Sequence, residues 1–62
     1  MTRTTIYKGE RARITEKTDR NGKKTWTVYR KEIRNGRQTW TWNTDSFSEK
    51  FAREVAEHLE NE

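Results

Sequence analysis

Apolar residues recur along this chain at two different periods. Ala12 and Ile14, Trp26 and Val28, and Trp40 and Trp42 are each separated by a single polar residue. Alternation of that kind sends apolar side chains to one face of a β-strand and polar ones to the other. Beyond Thr44 the period lengthens. Phe51, Val55 and Leu59 recur every four residues with Ala52 and Ala56 beside them, an apolar stripe along one side of a helix. Ser46-Phe47-Ser48-Glu49 has the form of a capping box that would open this helix, with Ser48 as a competing N-cap. The pattern predicts strands over roughly residues 9 to 18, 24 to 33 and 37 to 44 and a helix over about 47 to 60. Ahead of them, Thr2 to Lys8 contains Ile6 and Tyr7 and is compatible with an extension of the first strand or with a free segment.

The breaks between strands share a nearly repeated text, RNGKKTWTV from Arg20 and RNGRQTWTW from Arg34. Asn-Gly favours positive φ and is a strong hairpin signal. With Arg included, Arg20-Asn21-Gly22 and Arg34-Asn35-Gly36 both fit a three-residue loop with Gly in a left-handed bulge position. This choice pairs Asp19 with Lys23 and Ile33 with Arg37, and puts Ile14 opposite Val28 and Val28 opposite Trp42. One face then carries Ala12, Ile14, Trp26, Val28, Trp40 and Trp42, edged by Glu10, Glu16, Arg30, Glu32 and Gln38, and the helix covers it. The other carries Arg11, Arg13, Thr15, Lys17, Thr25, Thr27, Tyr29, Lys31, Arg37, Thr39, Thr41 and Asn43, with no acid among them. The fold expected is α+β: a three-stranded antiparallel sheet packed on one C-terminal helix, in a single domain.

Size sharpens this expectation. A chain of 62 residues has room for one core, because a domain of this length buries only about 60% of the surface of its unfolded form. It has no Cys and one His, so neither disulfides nor a Cys/His zinc site can staple it. Three Trp residues carry much of the available apolar area. No run is long and apolar enough for a membrane span or a secretory signal, and the lack of Cys suits a reducing cytoplasm, so an intracellular protein is expected.

The net charge of +4 is unevenly spread: residues 1–44 hold twelve Lys and Arg against four acids, residues 45–62 two against six. A basic body of this kind suits a polyanionic partner. An enzyme is not expected. His58 is the only imidazole, the glycines form no phosphate loop, and nothing joins a nucleophile to a base, so no cofactor or metal is expected either. The polar face is the candidate site. Arg can grip phosphate or the O6 and N7 of guanine, Lys and Thr can hold phosphate oxygens, and Thr and Tyr29 can meet thymine methyls. Arg20, Lys23, Lys24, Arg34 and Arg37 sit where turn tips would reach phosphates. With only Tyr29 available for stacking on this face, duplex DNA ranks above single strands.

Residues 22–59 also carry a Gly-Lys-Lys-x-Trp entry to the second strand, a basic hairpin and a Phe-Ser step into an amphipathic helix containing Phe51-Ala52. In these features the chain resembles the AP2-like DNA-binding domains found at the N-termini of tyrosine-recombinase integrases and, more distantly, in plant AP2 factors. It departs from them in having Trp40 and Trp42 where Lys or Arg alternation is common. The resemblance implies a sheet face inserted into the major groove, with Arg11, Arg13, Thr25, Thr27, Tyr29, Lys31, Arg37, Thr39 and Thr41 toward DNA, in a phage or mobile-element setting. The alternative is a small regulator that binds an acidic protein through the sheet face or through an edge strand.

Overall fold

The computed structural model describes residues 2–62. Four strands, β1 (Thr2–Lys8), β2 (Ala12–Thr18), β3 (Lys24–Arg34) and β4 (Arg37–Ser46), form one antiparallel sheet in the order β1-β2-β3-β4, and helix α1 (Glu49–Glu60) follows. The α+β class and the C-terminal helix agree with the sequence; the sheet has four strands, not three. Residues 9–11, expected to start the first strand, instead turn the chain. Gly9 N–H donates to the Ala12 carbonyl at 2.8 Å, which frees Thr2–Lys8 to pair with β2 as a strand of its own.

The side chain of Asp19 decides how the first hairpin closes. Its Oδ1 accepts from the N–H of Asn21 at 2.8 Å and of Lys23 at 2.9 Å, while Asp19 N–H donates to the Lys23 carbonyl at 3.0 Å. Gly22 takes φ of 79°. This is the three-residue loop read from the sequence, and it sets Ile14 opposite Val28 as expected.

The second hairpin has Ile33 where the first has Asp19, and Ile offers no acceptor. Asn35 and Gly36 both take positive φ, 51° and 78°, the signature of a two-residue type I′ turn. Arg34 therefore faces Arg37, not Ile33, and outward from there Tyr29 faces Trp42. A one-residue change of register sends every side chain of a strand to the other face. Trp40 and Trp42, expected beneath the helix, thus lie on the uncovered face, and Arg37, Thr39 and Thr41, expected on the uncovered face, take the helix-side parity. A bulge at Asn43 then restores the original parity, so that Thr44 faces Val28, Asp45 faces Thr27 and Ser46 faces Trp26.

Helix α1 packs on the other side of the sheet. Its N-cap is Ser48, whose Oγ accepts from Phe51 N–H at 3.3 Å. Ser46 Oγ serves the Ser48 N–H at 3.0 Å, so the capping box expected at Ser46 gives way to Ser48. The buried stripe is Ala52, Ala56 and Leu59 with Val55 at its margin, and Phe51, expected to lead it, is half exposed. Two Ala residues let the helix backbone come close to Ala12, Ile14 and Val28, and that approach rotates Phe51 outward. Ile6, Tyr7 and Trp26 close the sides of this core.

Glu60 ties the end of the helix to the β1–β2 turn. Its carboxylate accepts from the backbone N–H of Arg11 at 2.5 Å and of Glu10 at 3.3 Å, with the Tyr7 hydroxyl close by. Gly9 leaves room beneath it: a Cβ there would lie 2.5 Å from Tyr7 Oη and 2.6 Å from Glu60 Oε2, so the ends of both side chains would have to shift. The hydrogen bond from Arg11 holds the Glu60 carboxyl below its ordinary pKa. Partial burial, aided by the nearby Glu60 charge, pushes the Tyr7 hydroxyl up.

Two outcomes follow from this architecture. Asp19→Ala removes both acceptor bonds of the first loop and is expected to cost about 1–2 kcal/mol, roughly 4–8 °C in thermal midpoint per kcal/mol for a domain this small; circular-dichroism melts measure it. Glu60, with its folded pKa lowered, contributes stability that is present above the unfolded value of about 4.3 and lost as pH falls through the folded pKa. Melts of Glu60→Gln between pH 2 and 6 are expected to show a shallower acid limb than wild type, the remaining slope coming from Glu32, which Arg30 holds low. An unchanged acid limb would show that Glu60 anchors nothing.

Candidate nucleic-acid interface

The face turned away from α1 can be laid out in rows, because directly paired residues share a face. One row runs Lys8, Arg13, Tyr29, Trp42 across the four strands, and the next runs Thr5, Thr15, Thr27, Asp45. A third holds Arg3, Lys17 and Thr25. Beyond the first row lie Lys31 opposite Trp40 and Ile33 opposite Gln38. Thr15 and Thr27 form the floor, each only 7% exposed.

Charge on this face is almost all of one sign. It carries five cations, Arg3, Lys8, Arg13, Lys17 and Lys31, and among the described residues none of them makes an ion pair. The ion pairs formed are Lys24–Glu16, Arg30–Glu32 and Arg34–Glu32 on the helix-side parity and Arg53–Glu49 along the helix. Arg3 lies directly opposite Lys17, and Lys8 directly opposite Arg13. Like charges placed so reduce sheet stability unless an anion relieves them. The one acid is Asp45, so the face is not acid-free as the sequence suggested. The bulge at Asn43 brings it there.

The aromatic content differs most from expectation. Tyr29 is joined by both Trp40 and Trp42. The Arg13 guanidinium reaches across β3 to lie 4.6 Å from the Trp40 ring centroid, a cation–π contact over a half-buried ring. Trp42 is 59% exposed. It borders a groove of about 310 Å³ lined by Arg3, Lys17, Lys23, Thr27, Tyr29 and Asp45, among others. On the groove floor the Thr27 hydroxyl donates to Asp45 Oδ1 at 2.7 Å. At its end Lys23 Nζ sits 4.4 Å over the ring of Phe47, itself well exposed.

Of the residues singled out from the sequence, Arg13, Lys17, Thr25, Thr27, Tyr29 and Lys31 are together on this face. Arg20 and Lys23 stand at the first hairpin, and Lys23 lines the groove. Lys24 lies on the helix-side parity, bound to Glu16 at 3.4 Å. Arg11 is in the β1–β2 turn, where its carbonyl accepts from Lys31 N–H at 3.0 Å. Arg34, Arg37, Thr39 and Thr41 belong to the second hairpin and the helix-side parity, with Arg34 paired to Glu32 at 3.1 Å. Arg3, Lys8, Trp40, Trp42 and Asp45 also lie on this face, outside the set expected from the sequence. The signal for Trp40 and Trp42 was Ile33, which cannot hold the wider loop.

No family model, curated protein or solved structure matches the chain. Among the described residues no helix is long and apolar enough to cross a membrane, and no group of His, Cys, Asp or Glu side chains is arranged to hold a metal ion.

Proposed function

We propose that the open sheet face binds nucleic acid, and that it takes single strands in preference to duplex. The observation that carries this reading is the exposed Trp42 beside Tyr29 on a face whose cations are unpaired and partly opposed to one another. Bases stack on the two rings, a contact worth about 1–3 kcal/mol per base that every base can make. Arg3, Lys17 and Lys23, along the groove, hold the phosphates. Relief of the Arg3–Lys17 and Lys8–Arg13 repulsion adds to the affinity for a polyanion.

Docking in a duplex major groove, expected from the width of a three-stranded sheet and implied by the resemblance to AP2-like domains, fits this four-stranded face less well. Four strands at a spacing of ~4.8 Å span about 14 Å between outer strands, against a groove about 12 Å wide. Trp40 and Trp42 would enter it ring first. An acidic protein partner would satisfy the cations but leave the Trp42 ring without a specific role.

Fluorescence anisotropy with a labelled oligothymidylate and with a duplex of the same length tests the reading. The single strand is expected to bind more tightly, with log affinity falling against log salt at a slope of about −2 to −3 for three or four phosphate contacts. Trp42→Ala is expected to weaken it by roughly 5- to 100-fold with the fold intact, since Trp42 is outside the core. Tighter binding to duplex, or full affinity in Trp42→Ala, would refute the single-strand mode.

A further inference from the structure

Asp45 is the feature of this face that phosphate binding does not explain. A carboxylate in a groove that also holds Arg3, Lys17 and Lys23 repels phosphate and lowers affinity for any polyanion. Its place is also not forced by regular pairing. Without the extra residue at Asn43, strand alternation would turn Asp45 toward the helix side; the bulge re-aims it into the groove beside Trp42. The helix does not use it as a cap, since Ser48 does that. Its one hydrogen bond through a side-chain oxygen is the 2.7 Å contact from the Thr27 hydroxyl, which orients the carboxylate and leaves most of its acceptor capacity free. Among the described residues it forms no ion pair.

Building on the single-strand mode above, we infer that Asp45 reads a base, and that the base it selects is guanine stacked on Trp42. An ionised carboxylate only accepts hydrogen bonds. Guanine alone presents two adjacent donors, N1–H and the N2 amino group, on its Watson–Crick edge, so the carboxylate can take both side by side. Cytosine and adenine each set a ring-nitrogen acceptor next to their amino donor, and thymine and uracil flank their one N–H with two carbonyls. Each of these acceptors faces the negative charge unfavourably. Base-edge readout in single strands combines such contacts with aromatic stacking. Thr27 is the positioning residue that fixes the carboxylate.

The test uses labelled heptathymidylates whose central base is thymine, guanine, hypoxanthine, cytosine or adenine, measured by anisotropy against the full chain and against Asp45→Asn. Asn keeps an acceptor for Thr27, and circular dichroism verifies the fold. The guanine strand is expected to bind about tenfold more tightly than the cytosine or adenine strand, with hypoxanthine, which lacks the N2 amino group, in between. Asp45→Asn is expected to remove that preference. Ribose versions of the same strands distinguish RNA from DNA as the source of the base, with guanine preferred in both. Equal affinity for all five strands, or a guanine preference that survives in Asp45→Asn, overturns the assignment of Asp45 and leaves the single-strand mode standing. Failure of every strand to bind at 100 μM, about the weak end of the range for non-specific binding, overturns both.

Discussion

Asn35 and Gly36 close the second hairpin with two residues at positive φ, and the rest of the working surface depends on that length. A two-residue loop puts Arg34 against Arg37 and, five pairs on, Tyr29 against Trp42. With a third residue in the loop, β4 would slide by one and both Trp rings would turn toward the helix. What separates the two outcomes is one side chain before each turn. Asp19 accepts two backbone N–H groups and holds its loop open at three residues; Ile33 can hold nothing. Two almost identical stretches of chain thus build different turns, and the difference of one residue distributes the large apolar side chains between the two faces.

This division leaves a thin core. Among the described residues, Ile14 and Val28 are the only large side chains that are fully buried, and the helix contributes two buried Ala residues, Ala52 and Ala56. Such a core needs support from its margins. Trp26 and Tyr7 supply apolar cover, and the Glu60 carboxylate clamps the turn where the first strand doubles back. The opposite face is built on other terms. Its cations face one another across β1 and β2, its Trp42 ring is open, and a bulge introduces a single acid. The opposed cations and the open ring each cost a free-standing sheet some stability. Together they are the features on which the proposed binding of an anionic, aromatic ligand rests.

Much of the fold was legible in the sequence for physical reasons. The helix showed in the four-residue recurrence of Val55 and Leu59 with their Ala neighbours, and β2 and β3 in their alternation and in the Asp19 turn. The first strand was less clear because Thr2–Lys8 has no clean alternation, its register shifting between Thr5 and Tyr7 to bring Tyr7 over Ile14. The face of β4 differs from expectation because Trp is as good a core residue as a stacking residue, and alternation alone does not say which side a strand presents. Only the loop fixes that, and the two loops differ in a residue just outside the repeated Arg-Asn-Gly. The bulge at Asn43 has no signal in the pattern, and Asp45 is expected in the acidic C-terminal segment because the expected strand stops at Thr44. Arg13, Lys17, Thr25, Thr27 and Tyr29 were placed correctly because they lie on the side of β3 governed by the first hairpin.

The orientation of Trp42 is therefore where fold and function meet. A variant with Trp42 as its sole tryptophan, made by Trp26→Phe and Trp40→Phe, isolates the fluorescence of that ring. Its emission is expected to be that of a water-exposed indole, readily quenched by acrylamide, and to be quenched further and saturably as a single-stranded oligothymidylate is added. A blue-shifted emission shielded from acrylamide and indifferent to the strand would place Trp42 under the helix, and would contradict both the register and the surface built on it.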